Sequence, residues 1–255
     1  MKVSIVQADL KWEDKISNLA HLEEMINSKI DATDLIILPE MFSTGFSMKC
    51  GELAENEGGL TFNWMSNIAN DKNALLIGSL IIEENGNYYN RLYCVYPNGF
   101  YESYDKRHLF SYGKEDAHYT AGKERKIIEW KGWKICPLVC YDLRFPVWSR
   151  NTDDYDLLVY VANWPQRRAY AWKSLLKARA IENQSFTVGV NRVGLDGNEL
   201  EYSGDSQIID FAGNILFEIE NEEMVKTIEL DKKSQTDFRT QFGFLNDRDQ
   251  FEIKF

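Results

Sequence analysis

The chain has 255 residues, 44% of them hydrophobic, and a formal net charge of -11. That length and composition suffice for a large core and favour one domain spanning 1–255, while the acidic balance argues against nucleic acid and anionic membranes, both of which select basic surfaces. No stretch approaches the roughly 18 apolar residues of a membrane span, and Met1–Gln7 enters a strand-like run with no signal-type segment, so a soluble, cytoplasmic protein is expected. The four cysteines, Cys50, Cys94, Cys136 and Cys140, form no paired framework, and the three histidines stand at no zinc-type spacing to them. Reduced thiols and no metal site are the expectation.

Val3–Val6 reads as a strand, and Ile16, Leu19, Leu22 and Ile26 recur at helical spacing after it. Leu35–Leu38 is wholly apolar, as in a strand buried on both faces. Phe62–Asn70 reads as a helix and Ala74–Ile82 as a strand. Gly86-Asn87 turns the chain into Tyr88–Tyr96, and Pro97-Asn98-Gly99 turns it again into Phe100–Tyr104. Lys126–Trp130 and Trp133–Val139 form a hairpin pattern around Lys131-Gly132. Pro146 suits the first turn of a short helix over Val147–Arg150. Leu157–Ala162 is strand-like, and Ala169 to Asn183 carries apolar residues at helical spacing. Phe186–Asn191, Ser206–Asp210, Ile215–Glu218 and Val225–Leu230 close the chain as strands. Helices interleaved with strands and hairpins predict a layered α/β domain with mixed sheets.

Three strand ends carry chemistry. Leu35–Leu38 runs into Pro39-Glu40, Tyr101–Asp105 into Lys106, and Lys134–Val139 into Cys140. Strand ends are where open sheets place ligand sites, and a nucleophile at a strand-to-turn junction has backbone N–H groups beside it. A thiol, an acid and a cation are the parts of an acyl-transfer site. Each has a plainer reading: a buried apolar cysteine, a cap, an exposed strand end. Residue types alone leave catalysis at even odds.

The motifs Leu38-Pro-Glu40-Met-Phe42, Tyr104-Asp-Lys106-Arg-His-Leu-Phe110 and Val139-Cys140-Tyr-Asp-Leu-Arg-Phe-Pro146, with Ala162-Asn-Trp-Pro165 and Lys177–Gln184 leading to Asn191–Gly194, resemble the carbon–nitrogen hydrolase (nitrilase) superfamily. The segment Pro39–Met48 and the ending Phe238–Leu245 resemble its omega-amidase branch, which cleaves the terminal amide of 2-oxo acids such as 2-oxoglutaramate or 2-oxosuccinamate. The resemblance implies a four-layer α-β-β-α sandwich, a homodimer pairing through helices outside the sheets, and a Glu40–Lys106–Cys140 triad with no cofactor. It also implies a second glutamate after the lysine, for which Glu115 is the candidate against a solvated loop carboxylate.

On that resemblance Cys140 is the nucleophile and Glu40 the proton carrier, with Lys106 and the Tyr141 N–H holding the oxyanion. A carboxylate-bearing substrate needs a cation, for which Arg144 is the first choice and Arg167, Arg168 and Arg192 the alternatives. Trp164 and Phe46 are expected to wall the pocket, with Phe42 and Tyr112 as further options. Asp142 is expected to tie the turn after the nucleophile, and His108 to fix a loop rather than act as a base. Two other readings stay open: another carbon–nitrogen hydrolase, acting on deaminated glutathione, an aliphatic amide or an N-carbamoyl amine, and a thiol-redox sensor using Cys140.

Overall fold

The computed structural model describes residues 1–254. In chain order the strands and α-helices are β1 (Lys2–Gln7), α1 (Lys15–Lys29), β2 (Leu35–Ile37), α2 (Cys50–Leu53), α3 (Leu60–Lys72), β3 (Leu75–Glu84), β4 (Asn87–Val95) and β5 (Tyr101–Asp105). There follow β6 (Ile128–Trp130), β7 (Trp133–Val139), α4 (Pro146–Ser149), β8 (Leu157–Ala162), α5 (Ala169–Asn183) and β9 (Phe186–Asn191). The chain ends with β10 (Val193–Leu195), β11 (Glu201–Ile209), β12 (Ile215–Glu220), β13 (Met224–Glu229) and α6 (Lys232–Gln241).

One sheet has the order β13-β1-β2-β3-β4-β5, the other β10-β11-β9-β8-β7-β6 with β12 on β11. Both are mixed. β1, β2 and β3 run parallel, as do β7, β8 and β9, and the flanking strands are antiparallel. Side chains alternate faces along a strand, and the sequence uses both. Val3, Ile5, Leu35, Ile37, Leu75 and Ile77 join the core shared with the second sheet. Their neighbours Val6, Ile36, Leu38, Leu76 and Leu80 pack outward against Leu22, Ile26, Met65 and Ile68 of α1 and α3. On the far side α5 presses Trp172 and Leu176 onto β9 at Gly189, where an added Cβ would lie 2.7 and 2.5 Å from those side chains. Helix, sheet, sheet, helix is the order of layers, the four-layer α/β sandwich expected.

Local chemistry fixes the ends. Asp14 caps α1 by accepting the Ser17 N–H at 3.0 Å. Asn73 and Gln184 close α3 and α5 in the left-handed conformation. Ile16, counted in the apolar stripe of α1, is exposed; the stripe starts at Leu19. β11 starts at Glu201 rather than Ser206, and α2, β10 and α6 had no counterpart in the sequence reading. No helix among the described residues is long and apolar enough to cross a membrane.

Because β5 is antiparallel to β4, and β4 to β3, β5 points the same way as β2. Their exits therefore share one rim of the sheet, where Glu40 and Lys106 sit.

Candidate active site

Cys140 follows the last residue of β7 and opens a 3₁₀ turn, Cys140–Arg144. Its φ of +44° is the left-handed region, which costs a non-glycine residue about 1–2 kcal/mol. Asp142 holds that turn in place. Its carboxylate accepts from the Val139 N–H (3.0 Å), Tyr104 OH (2.7 Å) and His108 N–H (3.0 Å), with His108 Nδ1 at 2.8 Å. The His108 ring also stacks on Phe145 at 3.7 Å. Asp142 and His108 thus tie the nucleophile turn to the exit of β5, as expected of both.

Lys106, Glu40 and Glu115 are buried together. Lys106 Nζ donates to Glu40 Oε1 at 2.8 Å and to both oxygens of Glu115, at 3.0 and 2.9 Å. Asn90 Nδ2 bridges the two carboxylates, at 2.8 Å to Glu40 and 3.1 Å to Glu115. The Asn163 N–H donates to Glu40 Oε2 at 2.8 Å, and the Phe110 N–H to Glu115 Oε2 at 2.6 Å. A buried charge is tolerated only when paired and hydrogen-bonded, and this cluster meets that condition with two carboxylates around one ammonium.

The electrostatics follow. Burial alone would lower the Lys106 ammonium, but Glu115 and Glu40 outweigh it and the net shift is upward. Burial raises the Glu115 carboxyl against the pull of Lys106. At Cys140 burial and the Glu40 charge push the thiol well above its ordinary range; Lys106 opposes them, and a hydrogen bond to Glu40 adds to the rise.

Cys140 and Lys106 line a cavity of about 620 Å³. Its walls include Phe46, Phe110, Tyr141, Asn163, Trp164 and Tyr202. The Phe46 ring lies 5.2 Å from Lys106 Nζ, and the Trp164 ring 4.9 Å from the Arg144 guanidinium. Tyr112 stands exposed at the rim. Arg144, Arg167 and Arg168 line the same space.

A carbon–nitrogen hydrolase family model matches residues 2–240. The chain belongs to the carbon–nitrogen hydrolase family. An omega-amidase, YafV of Escherichia coli (strain K12), is 44% identical across 99% of this chain and 98% of its own length. A 2-oxoglutaramate amidase of Bacillus subtilis (strain 168) is 33% identical across 96% of each chain. XC1258 from Xanthomonas campestris, described as a CN-hydrolase superfamily protein with an arsenic adduct in its active site, superposes with a TM-score of 0.98. It is 43% identical, over 100% of this chain and 99% of that one. This carbon–nitrogen hydrolase falls in the omega-amidase-like branch and is an amide-cleaving hydrolase.

The hydrolase departs from the sequence reading at two named residues. Phe42 is not a pocket residue: it packs on the α1–α3 side of the sheet, 5.7 Å from Trp64. Arg192 is no candidate for the pocket either, since it lies buried behind Tyr202 and donates to Asp9 Oδ1 and the Leu195 carbonyl, each at 3.0 Å. Two asparagines were missed. Asn163 lies within the Ala-Asn-Trp-Pro motif, beside the more conspicuous tryptophan, and Asn90 carries no local signal. Away from the cavity, Asp205, Glu218 and Glu220 approach as metal ligands do, but Lys173 Nζ already stands 3.3, 3.0 and 2.6 Å from them.

Proposed function

We propose that the enzyme hydrolyses the terminal amide of a small 2-oxo dicarboxylate monoamide, 2-oxoglutaramate or 2-oxosuccinamate, through a thioester on Cys140. The observation that carries this reading is that Cys140 and Lys106 line one cavity with three arginines, while the buried Glu40 behind them hydrogen-bonds both. The names of the omega-amidase and 2-oxoglutaramate amidase relatives support the same substrate class.

Glu40 accepts the thiol proton as sulfur attacks the amide carbonyl carbon. A thiol held above its ordinary range makes this transfer part of the attack rather than a preceding ionisation. Lys106 and the Tyr141 N–H stabilise the oxyanion; loss of one such donor costs about 3 kcal/mol of barrier. Glu40 then returns its proton to nitrogen, the C–N bond breaks and ammonia leaves. Water gives a proton to Glu40 and attacks the thioester. As the C–S bond breaks, the proton returns to sulfur, and the new carboxylic acid gives its own proton to solvent as the dicarboxylate is released. Glu115 is a positioning residue, holding Lys106 by two hydrogen bonds. Phe46 and Trp164 wall the substrate, and an arginine at the rim takes its carboxylate. No step calls on a metal or organic cofactor. A homodimer formed through the outer helices, in the cytoplasm, completes the proposal.

The cavity is large beside a five-carbon substrate, which favours as second reading a longer amide such as deaminated glutathione. The redox-sensor reading loses support, because sensing thiols have depressed rather than raised pKa values.

The test compares ammonia release from 2-oxoglutaramate, deaminated glutathione and N-carbamoyl amines. Fastest turnover of 2-oxoglutaramate with an acyl adduct on Cys140 in rapid-quench mass spectrometry is expected. Cys140→Ala should lower kcat by about 10⁵-fold or more; a folded Cys140→Ala protein that still hydrolyses the amide would refute the assignment.

A further inference from the structure

The arginines divide into two sets. Among the described residues, the guanidiniums of Arg144, Arg167 and Arg168 make no hydrogen bond or ion pair with the rest of the chain, whereas every other arginine side chain donates at least one. All three unpaired ones line the catalytic cavity. Neither of the two acids that also line it, Glu13 and Asp196, pairs with them, and a cluster of unpaired like charges becomes more favourable when an anion enters.

The three are not equivalent. Arg144 and Arg167 are exposed, so water screens their attraction for a ligand. Arg168 is half-buried, where a charge-assisted hydrogen bond is stronger. Its position is fixed at both backbone ends: its N–H donates to the Pro165 carbonyl at 2.9 Å, and its carbonyl accepts from Trp164 Nε1 at 2.8 Å. Its guanidinium lies 5.0 Å from the Phe110 ring, and the Phe110 N–H is the one that holds Glu115. Burial, with Arg167 and Arg144, pushes Arg168 down from its ordinary range, and Arg168 lines the same cavity as Cys140 and Tyr202.

Helix α5 adds a second observation. Arg168 is its N-cap residue, gives no side-chain cap, and is followed by a first turn with no acid. Helix N-termini favour anions, and this one carries two cations instead.

We propose that Arg168 is the specificity-determining anchor for the substrate carboxylate, with Arg144 and Arg167 supplying a solvated attractive field around it. The proposal rests on the amidase reading above and names the residue that makes it selective for amides with an anionic far end.

The experiment compares 2-oxoglutaramate with 4-oxopentanamide, in which a methyl group replaces the carboxylate, on wild type, Arg168→Gln, Arg168→Lys and Arg144→Gln, each checked for folding by Tm. The ratio of kcat/KM for the charged over the neutral amide should fall about 30- to 100-fold in Arg168→Gln, chiefly through KM. Arg168→Lys should recover part of it, and Arg144→Gln should change it less than about fivefold. An Arg168→Gln protein that loses both amides in equal proportion, or a larger ratio change from Arg144→Gln, would overturn the anchor. A wild type inactive on 2-oxoglutaramate would sink the amidase reading instead, and the anchor with it.

Discussion

The floor and the rim of the cavity are built on opposite principles. At the floor Lys106, with Glu40 and Glu115 buried behind it, is withdrawn from water, and each of the three has its partners inside the chain. At the rim the guanidiniums of Arg144, Arg167 and Arg168 have no hydrogen-bond or ion-pair partner among the described residues, only the Trp164 and Phe110 rings beside Arg144 and Arg168. A buried group without a partner would be ruinously destabilising, so the floor must be complete before substrate arrives. A half-exposed arginine can wait in water for its counter-charge. The contrast separates groups arranged for bond making from groups arranged for selection.

The largest way to break the floor is Lys106→Met. It strands two buried carboxylates, and stability should fall by about 3–5 kcal/mol in denaturant titration, along with nearly all activity. A Lys106→Met enzyme as stable as wild type would mean the cluster is not closed. Glu115→Gln separates stability from rate: Lys106 keeps Glu40, and the burial that penalises ionised Glu115 is relieved. We expect Tm within about 4 °C of wild type but kcat down roughly 10- to 100-fold from a loosened lysine.

The pH response of Cys140 comes next. Burial and Glu40 raise its thiol, so the rate of labelling by methyl methanethiosulfonate should keep climbing beyond pH 9, where an ordinary thiol levels off. In Glu40→Gln one raising charge is gone, and the curve should move to lower pH. A plateau near pH 7 in wild type would show a thiolate at rest. The smallest effect belongs to the rim: Arg144→Gln should lower kcat/KM for the anionic substrate less than about fivefold, and the difference should vanish in 0.5 M salt.

The parts of this molecule that were legible in the sequence are those whose signal is local. Leu35–Leu38 is apolar on both faces and ends at Pro39, so the strand and the carboxylate just beyond it are visible in a few letters, whereas the burial of Glu40 is not. The same holds for Lys134–Val139 before Cys140. What escaped depends on distant partners. Asn90 is one polar residue near the start of β4, and its position between two carboxylates exists only because β5 lies beside it. The opening half of β11, Glu201–Asp205, looks like a loop by composition; Gln7 and Asn191 are among the groups bonding to this strand from outside it. α6 is polar almost throughout, with Gln235 its one buried side chain, so no apolar period announces it. Nearness in sequence to the nucleophile puts Arg144 ahead of Arg168, but spacing carries no information on burial, in which the two differ.

Two carboxyl groups, Glu40 and Glu115, stand behind the floor around the one ammonium of Lys106. An uncharged amide settles there without electrostatic penalty, but on the proposed reaction hydrolysis turns that very end into an anion. The newly made carboxylate finds itself beside Glu40 and Glu115 and is repelled toward the arginines at the mouth. The pair of glutamates thereby disfavours retention of product and reversal of the reaction, so inhibition by the dicarboxylate should stay weak even where the monoamide binds well.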